Sequence, residues 1–458
     1  MRDLLVASVL LSTLPVCFRR PYVGVLVFSL LSYMRIQDLA WGFARYQRWS
    51  FYVALLALAG YLIDPRRKPP ILELRTWLLI LLMLLVGVGM AFATGEASLD
   101  KAAYAEYCKV IYIALFTTAV VQTRDQLRFL VWTIALSFAF YGVKSGTMGL
   151  LSGGALKIQR GPGGMLEDNN AFALALAMAV PLMIHLATSE KRQLFRRALW
   201  IMAPLTMLAV LLTYSRGAFL AMSFGIVILL WRSQRRVAGL SLVALAVVGA
   251  LLVLPQAYVD RIRSIKDYET EGSARGRIDA WIVAWNMIED NPLLGVGLDR
   301  FRSNYIQYDY NRPADLPEDK GTRVAHNSYF QIWAECGTPA FLIYMLLLFL
   351  TFNELWAIQK EARRRYNASW ILSYATAFEA SMGIFLVGAV FLNRAHFDLT
   401  YHFMTIVMIL GRLARAEMAD RSAAPVALPA AARVRAPALA PARGAARAFR
   451  KTSVGRGA

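Results

Sequence analysis

The chain has 458 residues, of which 58% are apolar and 17% charged, with a formal charge of +20. Soluble globular proteins carry about 25% charged and roughly 45–50% apolar residues. Apolar runs of about 18 residues recur along this chain, so a cytosolic enzyme is excluded and an all-α polytopic integral membrane protein is expected.

In chain order, apolar stretches fall at 4–18, 21–34, 50–64, 74–93, 104–121, 127–143, 170–187, 198–214, 217–231, 237–255, 339–358, 369–392 and 397–411. Each is long enough, or nearly so, to cross a bilayer as a helix, which predicts about 12 (12–13) transmembrane helices. The first two are short, and the last carries His402 near its start. Met1-Arg2-Asp3 and the apolar run to Phe18 resemble a signal peptide. Arg19-Arg20-Pro21 stands where a small-residue cleavage site belongs, so the segment reads as a retained first helix. Cys17, Cys108 and Cys336 have no C-x-x-C spacing, and neither a disulfide framework nor a zinc site follows.

Basic clusters recur at every second loop: Arg66-Arg67-Lys68, Arg124 with Arg128, Lys191-Arg192 with Arg196-Arg197, Arg232 with Arg235-Arg236, and Lys360 with Arg363-Arg364-Arg365. Basic loops stay in the cytoplasm, which puts 35–49, 94–103, 144–169, the turn 214–217, 256–338 and 393–396 outside. The chain therefore divides into helices over 1–255, a large external loop at 256–338, further helices over 339–411, and a tail at 412–458. The tail has ten Lys/Arg against two Asp/Glu and is rich in Ala, Pro and Arg without apolar periodicity. It reads as a disordered cytoplasmic arm near anionic lipid, with RNA as the alternative partner for such charge.

A loop as long as 256–338 is usually functional or disordered. Here it holds an amphipathic helix at roughly 274–290, with Ile278, Trp281, Ile282, Trp285 and Ile288 at helical spacing, Ser273 as N-cap and Asn291-Pro292 as the stop. The two tryptophans suit a helix at the membrane interface.

Several polar residues in the external segments can carry chemistry. Arg216, in Tyr214-Ser215-Arg216-Gly217-Ala218, sits in a tight turn between two spans. An arginine there either snorkels to headgroups or serves a site, and the short turn with Gly217 favours the site. A second loop reads Lys157-Ile158-Gln159-Arg160-Gly161-Pro162-Gly163-Gly164 and leads to Glu167-Asp168-Asn169-Asn170 at a helix start. Glycine-rich backbone ahead of a helix N-terminus can offer amides to an anion, although a glycine-rich turn needs no ligand. The long loop adds Arg261, Arg263, Arg275 and Arg277 among ten Lys/Arg and thirteen Asp/Glu over 256–338, a balance that also fits a solvated, paired face. Arg277 stands out because it falls on the first turn of the interfacial helix. His326, in Val324-Ala325-His326-Asn327-Ser328-Tyr329, precedes the return into the membrane; a lone histidine is either structural or a proton carrier. His396 is its nearest rival. No metal-ligand spacing is evident, so arginines are expected to neutralise charge and no cofactor is implied.

These motifs taken together resemble the O-antigen ligase and polymerase superfamily of bacterial inner membranes. The matching stretches are Ser215-Arg216-Gly217-Ala218; Gly276-Arg277-Ile278 with Trp281; Asn291-Pro292-Leu293-Leu294-Gly295-Val296-Gly297; and His326-Asn327-Ser328-Tyr329 with Glu335 and Gly337. They cover about 214–340. Asp168-Asn169-Asn170-Ala171-Phe172-Ala173 extends the likeness upstream, toward the exosortase-associated O-glycosylation ligase branch.

The resemblance implies a C-type glycosyltransferase (GT-C) with a periplasmic site, taking a glycan from undecaprenyl pyrophosphate and placing it, for a ligase, on a sugar hydroxyl of the lipid A core. It implies His326 as the catalytic histidine. Arg216 and Arg277 are implied as pyrophosphate-binding residues, with Arg160, Arg275, Asn170 and Tyr214 joining them on the donor. Metal-independent, inverting transfer follows from a histidine base and arginine forks. An O-antigen polymerase or a protein O-glycosylation ligase would share the donor. A lipid-linked glycan flippase would instead need polar residues through the bilayer midplane, whereas the charged residues here lie mostly at the ends of spans.

Overall fold

The computed structural model describes residues 1–92, 97–233, 272–312, 321–366 and 369–422. The expected span at 237–255, Arg261, Arg263 and the chain beyond Ser422 lie outside the described residues. Those described are helical, with an isolated bridge between Arg160 and Asp168 and no strand among them.

The helices are α1 (Arg2–Arg19), α2 (Pro21–Ser29, continuing as a π turn over Leu30–Met34), α3 (Phe43–Tyr46), α4 (Trp49–Ile63), α5 (Leu74–Phe92), α6 (Ala97–Val120) and α7 (Arg124–Leu151). They continue with α8 (Asn169–Ser189), α9 (Gln193–Leu212), α10 (Arg216–Arg232), α11 (Gly272–Asp290), α12 (Phe301–Tyr308), α13 (Ser328–Glu361), α14 (Ser369–Ala389) and α15 (Asp398–Ser422). Among the described residues six helices are long and apolar enough to cross a membrane: α5, α7, α8, α9, α13 and α14. The other expected spans that are described also form helices, but α2 and α4 are shorter, α10 has 17 residues, and α6 carries Asp100, Lys101 and Glu106 in its first half and Lys109 just beyond. The tail begins later than expected, because α15 runs on to Ser422.

Side-chain size decides which helix is central. The α8 run Ala171-Phe172-Ala173-Leu174-Ala175-Leu176-Ala177 is apolar on every face and is buried throughout, packed against α7, α9, α10 and α14. His402, unexpected in an apolar helix, is satisfied inside the bundle: Nδ1 pairs with Tyr33 Oη at 2.9 Å and Nε2 with Thr117 Oγ1 at 3.2 Å. A buried imidazole with both nitrogens partnered has a structural role.

α13 is bent where it leaves the loop region. Gly337 has φ +80°, and Pro339, which has no N–H, follows two residues later. The carbonyls of Ala334 and Glu335 therefore lose their helical donors. Val296 N–H donates to the first and Gly297 N–H to the second, both at 2.9 Å, while Thr338 N–H donates to Pro292 O at 2.8 Å. The motif Asn291-Pro292-Leu293-Leu294-Gly295-Val296-Gly297 is thus a strap that repairs the break in α13. A Cβ at Gly337 would collide with the Leu293 carbonyl, so glycine is required there on both counts.

The loop helix α11 forms over the expected range and stops at Asp290, but Ser273 lies inside it. The face it turns inward lies beside the stripe expected at the membrane interface and shares Ile288 with it. Ala280, Val283, Ala284, Met287 and Ile288 are buried against α12 and the start of α13, while Ile278, Ile282 and Trp285 remain exposed at 45%, 46% and 45%. The face with alanines wins because small side chains let neighbouring helices approach closely.

Candidate functional site

Five of the predicted residues meet in one cavity of about 560 Å³. Tyr214, Arg216, Arg277, His326 and Asn170 line it together with Lys157, Asn169, Thr213, Gly276, Arg302, Thr322, Arg323 and Val324. Among the described residues the wall carries five Lys/Arg side chains and no carboxylate. The lining residues come from segments that the charge alternation assigns to one side, or, for Asn170 and Thr213, from the ends of spans adjoining them.

Local sequence fixes each functional side chain. Ser215 caps α10, its Oγ accepting from Ala218 N–H, so Arg216 is the first residue of that helix. Tyr214 ahead of it takes a left-handed conformation at φ +56°. Gly217 allows the close approach of Phe391, whose Cβ a side chain there would meet at 2.7 Å. The turn is tied to α8 by Asn169 Nδ2, which donates to Thr213 O at 3.2 Å. Asp168 caps α8, accepting from Asn170 N–H at 3.1 Å and Ala171 N–H at 2.9 Å. Lys157 places its ammonium 5.6 Å from the Tyr214 ring centroid.

His326 is held from both sides. Trp281 Nε1 donates to Ala325 O at 3.0 Å, tying the preceding residue to α11. Asn327 caps α13, its Oδ1 accepting from Tyr329 N–H at 2.9 Å and Phe330 N–H at 3.1 Å. Ser328 Oγ donates to Leu392 O at 2.7 Å and accepts from Arg394 N–H at 2.9 Å. These bonds hold His326 at φ +46°, a region a non-glycine residue occupies when its surroundings determine it. In His326-Asn327-Ser328, the second and third residues build the helix start and leave the imidazole for the cavity. Its pKa is pushed below the ordinary 6.5 by burial and then by Arg277, with Arg323 adding to this and Asp168 opposing it. The imidazole is therefore neutral at neutral pH, which is the form that accepts a proton.

Arg160 and Arg275 do not line this cavity; both are exposed. The glycine loop does not line it either. A side chain at Gly164 would strike the Arg35 guanidinium and one at Gly161 the Leu166 carbonyl, so these glycines serve close packing rather than an anion. His396 opens on a different cavity of about 290 Å³, where its Nε2 lies 3.4 Å from a Glu335 carboxylate oxygen. Arg302 and Arg323 were not singled out from the sequence. The signal for Arg323 was present: it stands three residues before His326, and a side chain at Gly276 would collide with its guanidinium. Among the described residues no three His, Cys, Asp or Glu come together as a metal-ligand set.

Residues 198–345 match the family model described as O-antigen ligase. This stretch of the chain therefore carries an O-antigen ligase domain. Residues 1–191 match a family of unknown function (DUF5935), and no curated protein matches the chain. Arg216, Arg277, Arg302, Arg323 and His326 all lie in the O-antigen ligase domain, while Lys157, Asn169 and Asn170 come from the upstream region. The cavity is therefore built jointly by the two matched regions, and the ligase domain alone does not close it.

Proposed function

We propose that this membrane protein transfers a glycan from undecaprenyl pyrophosphate to a sugar hydroxyl of the lipid A core, at the periplasmic face of the bacterial inner membrane. The observation that carries the reading is a cavity, built largely by the O-antigen ligase domain, that brings five cations and a histidine of lowered pKa onto one wall. A pyrophosphate leaving group needs positive charge, and arginine forks suit its oxygens. His326 takes the proton from the acceptor hydroxyl as that oxygen bonds to the anomeric carbon. The bond from that carbon to the pyrophosphate oxygen breaks, and undecaprenyl pyrophosphate leaves onto Arg216 and Arg277. Displacement from the opposite face inverts the anomeric configuration. About 12 helices crossing the membrane in a GT-C arrangement would hold this cavity at the bilayer surface, and Asn170 and Tyr214 complete the donor site.

Purified protein mixed with lipid-linked glycan and lipid A-core acceptor should form the ligated product, and should do so equally in EDTA. Loss of turnover in chelator, restored by Mg²⁺ or Mn²⁺, would overturn the arginine-only account. Productive use of a growing glycan or of a Ser/Thr peptide alone would move the assignment to a polymerase or a protein ligase. For topology, reporter fusions at positions 315 and 440 should report opposite sides of the membrane, 315 outside. The same side for both would sink the orientation.

A further inference from the structure

At the end of the bundle opposite the His326 cavity lies a second basic cavity, of about 610 Å³, lined by Arg232, Trp356, Gln359, Lys360, Arg363 and Arg364. Arg216 opens α10 and Arg232 closes it, a separation of roughly 24 Å along the helix at 1.5 Å per residue, close to the thickness of a bilayer core. Four cations on one wall mark the cavity for an anion.

The cavity has a built floor. Glu379, on α14, accepts from Arg232 Nε at 3.0 Å, Trp356 Nε1 at 2.9 Å and Gln359 Nε2 at 2.9 Å, and pairs with Arg232 Nη2. That carboxylate is consumed by Arg232, which leaves Lys360, Arg363 and Arg364 to face a ligand. Gln359 is 3% exposed, and its Oε1 has no donor. An orphaned buried acceptor beside three cations matches a ligand that carries a hydroxyl close to a phosphate.

An apolar track leads to the same place. On α13, Leu342, Leu346, Phe349 and Trp356 are exposed at helical spacing and form one face, and Lys360, Arg363 and Arg364 continue that face past its end. An acyl chain lying on the track would deliver its headgroup to the cations. Free phosphate would have no use for the track. We propose that this cavity binds the headgroup of an anionic glycerophospholipid of the phosphatidylglycerol class, with the phosphate on Lys360, Arg363 and Arg364 and a headgroup hydroxyl on Gln359. The site is separate from the transfer cavity and does not depend on the identity of the glycan or acceptor.

The test is lipid retention by the full-length protein in detergent, read by native mass spectrometry after titration with phosphatidylglycerol or phosphatidylcholine. Phosphatidylglycerol should bind preferentially. A Lys360→Gln/Arg363→Gln/Arg364→Gln variant should lose affinity for it by about fivefold per charge, on the order of 100-fold in all. Equal retention of the two lipids by the wild type would overturn the proposal, and so would full retention of phosphatidylglycerol by the variant. Displacement of the lipid by millimolar inorganic phosphate alone would show a simple anion site and overturn it as well. If the triple variant does not yield folded protein, Arg364→Gln alone should lose about fivefold, and the wild-type comparison stands by itself. Because the readout is lipid mass rather than glycan transfer, failure here leaves the transfer reading untouched.

Discussion

His326→Ala is expected to cut glycan transfer by about 10²–10⁴-fold while donor binding stays near wild type, because the change removes the proton acceptor and leaves the arginines in place. Protein level should hold, since Asn327 and Ser328, rather than His326, make the bonds that start α13. The pH profile gives a second readout. Burial and Arg277 lower the imidazole pKa, so the wild-type rate should rise with pH through a midpoint below 6.5 and stay level above it, as the protonated form disappears. Arg323→Gln removes a cation that lowers this pKa and should move the acid limb to higher pH. Asp168→Asn removes the anion that raises it and should move the limb lower, while the amide still caps α8. If both variants leave the limb unmoved, the titrating group is not His326. Wild-type turnover in His326→Ala together with an inactive His396→Ala would give the role to the second cavity.

The second large effect is expected at Arg216. Arg216→Lys keeps the charge at the first position of α10 but loses the planar fork, and transfer should fall by about 10–100-fold, the worth of one charge-assisted hydrogen bond. Donor binding, measured with lipid-linked glycan in the absence of acceptor, should weaken less than turnover, because charge on the departing pyrophosphate grows toward the transition state. Nearly full turnover in this variant would mean that Arg216 only reaches for headgroups.

Residue chemistry made much of the site legible in the sequence. Arg216 and His326 stand out because a charged group at the end of an apolar run has few places to go. Arg277 stands out because the helix around it has clear start and stop signals. The resemblance also suggested Arg160 and Arg275, less securely, and neither lines the cavity. Neighbours along the chain share composition but not direction, and direction depends on which face of α11 packs and on how the glycine loop folds over Arg35. The inward face of α11 shows the same effect: spacing reveals the stripe at Ile278, Ile282 and Trp285, but the packing of Ala280 and Ala284 against α12 is decided by the fit of small residues.

Local patterning by itself determined the membrane class, the positions of most helices, and the start of a helix after Asp168. All of these rest on interactions within a few residues of one another, or on the energy of moving charge through a bilayer. Only the tertiary structure decided that Lys157, Arg302 and Arg323 join the site, that His396 belongs to another cavity, and that the strap at Pro292–Gly297 repairs the break at Gly337. Each of these depends on contacts between segments tens to more than a hundred residues apart. Their partners are set by side-chain volume and by orphaned backbone groups, which leave no periodic trace in the chain.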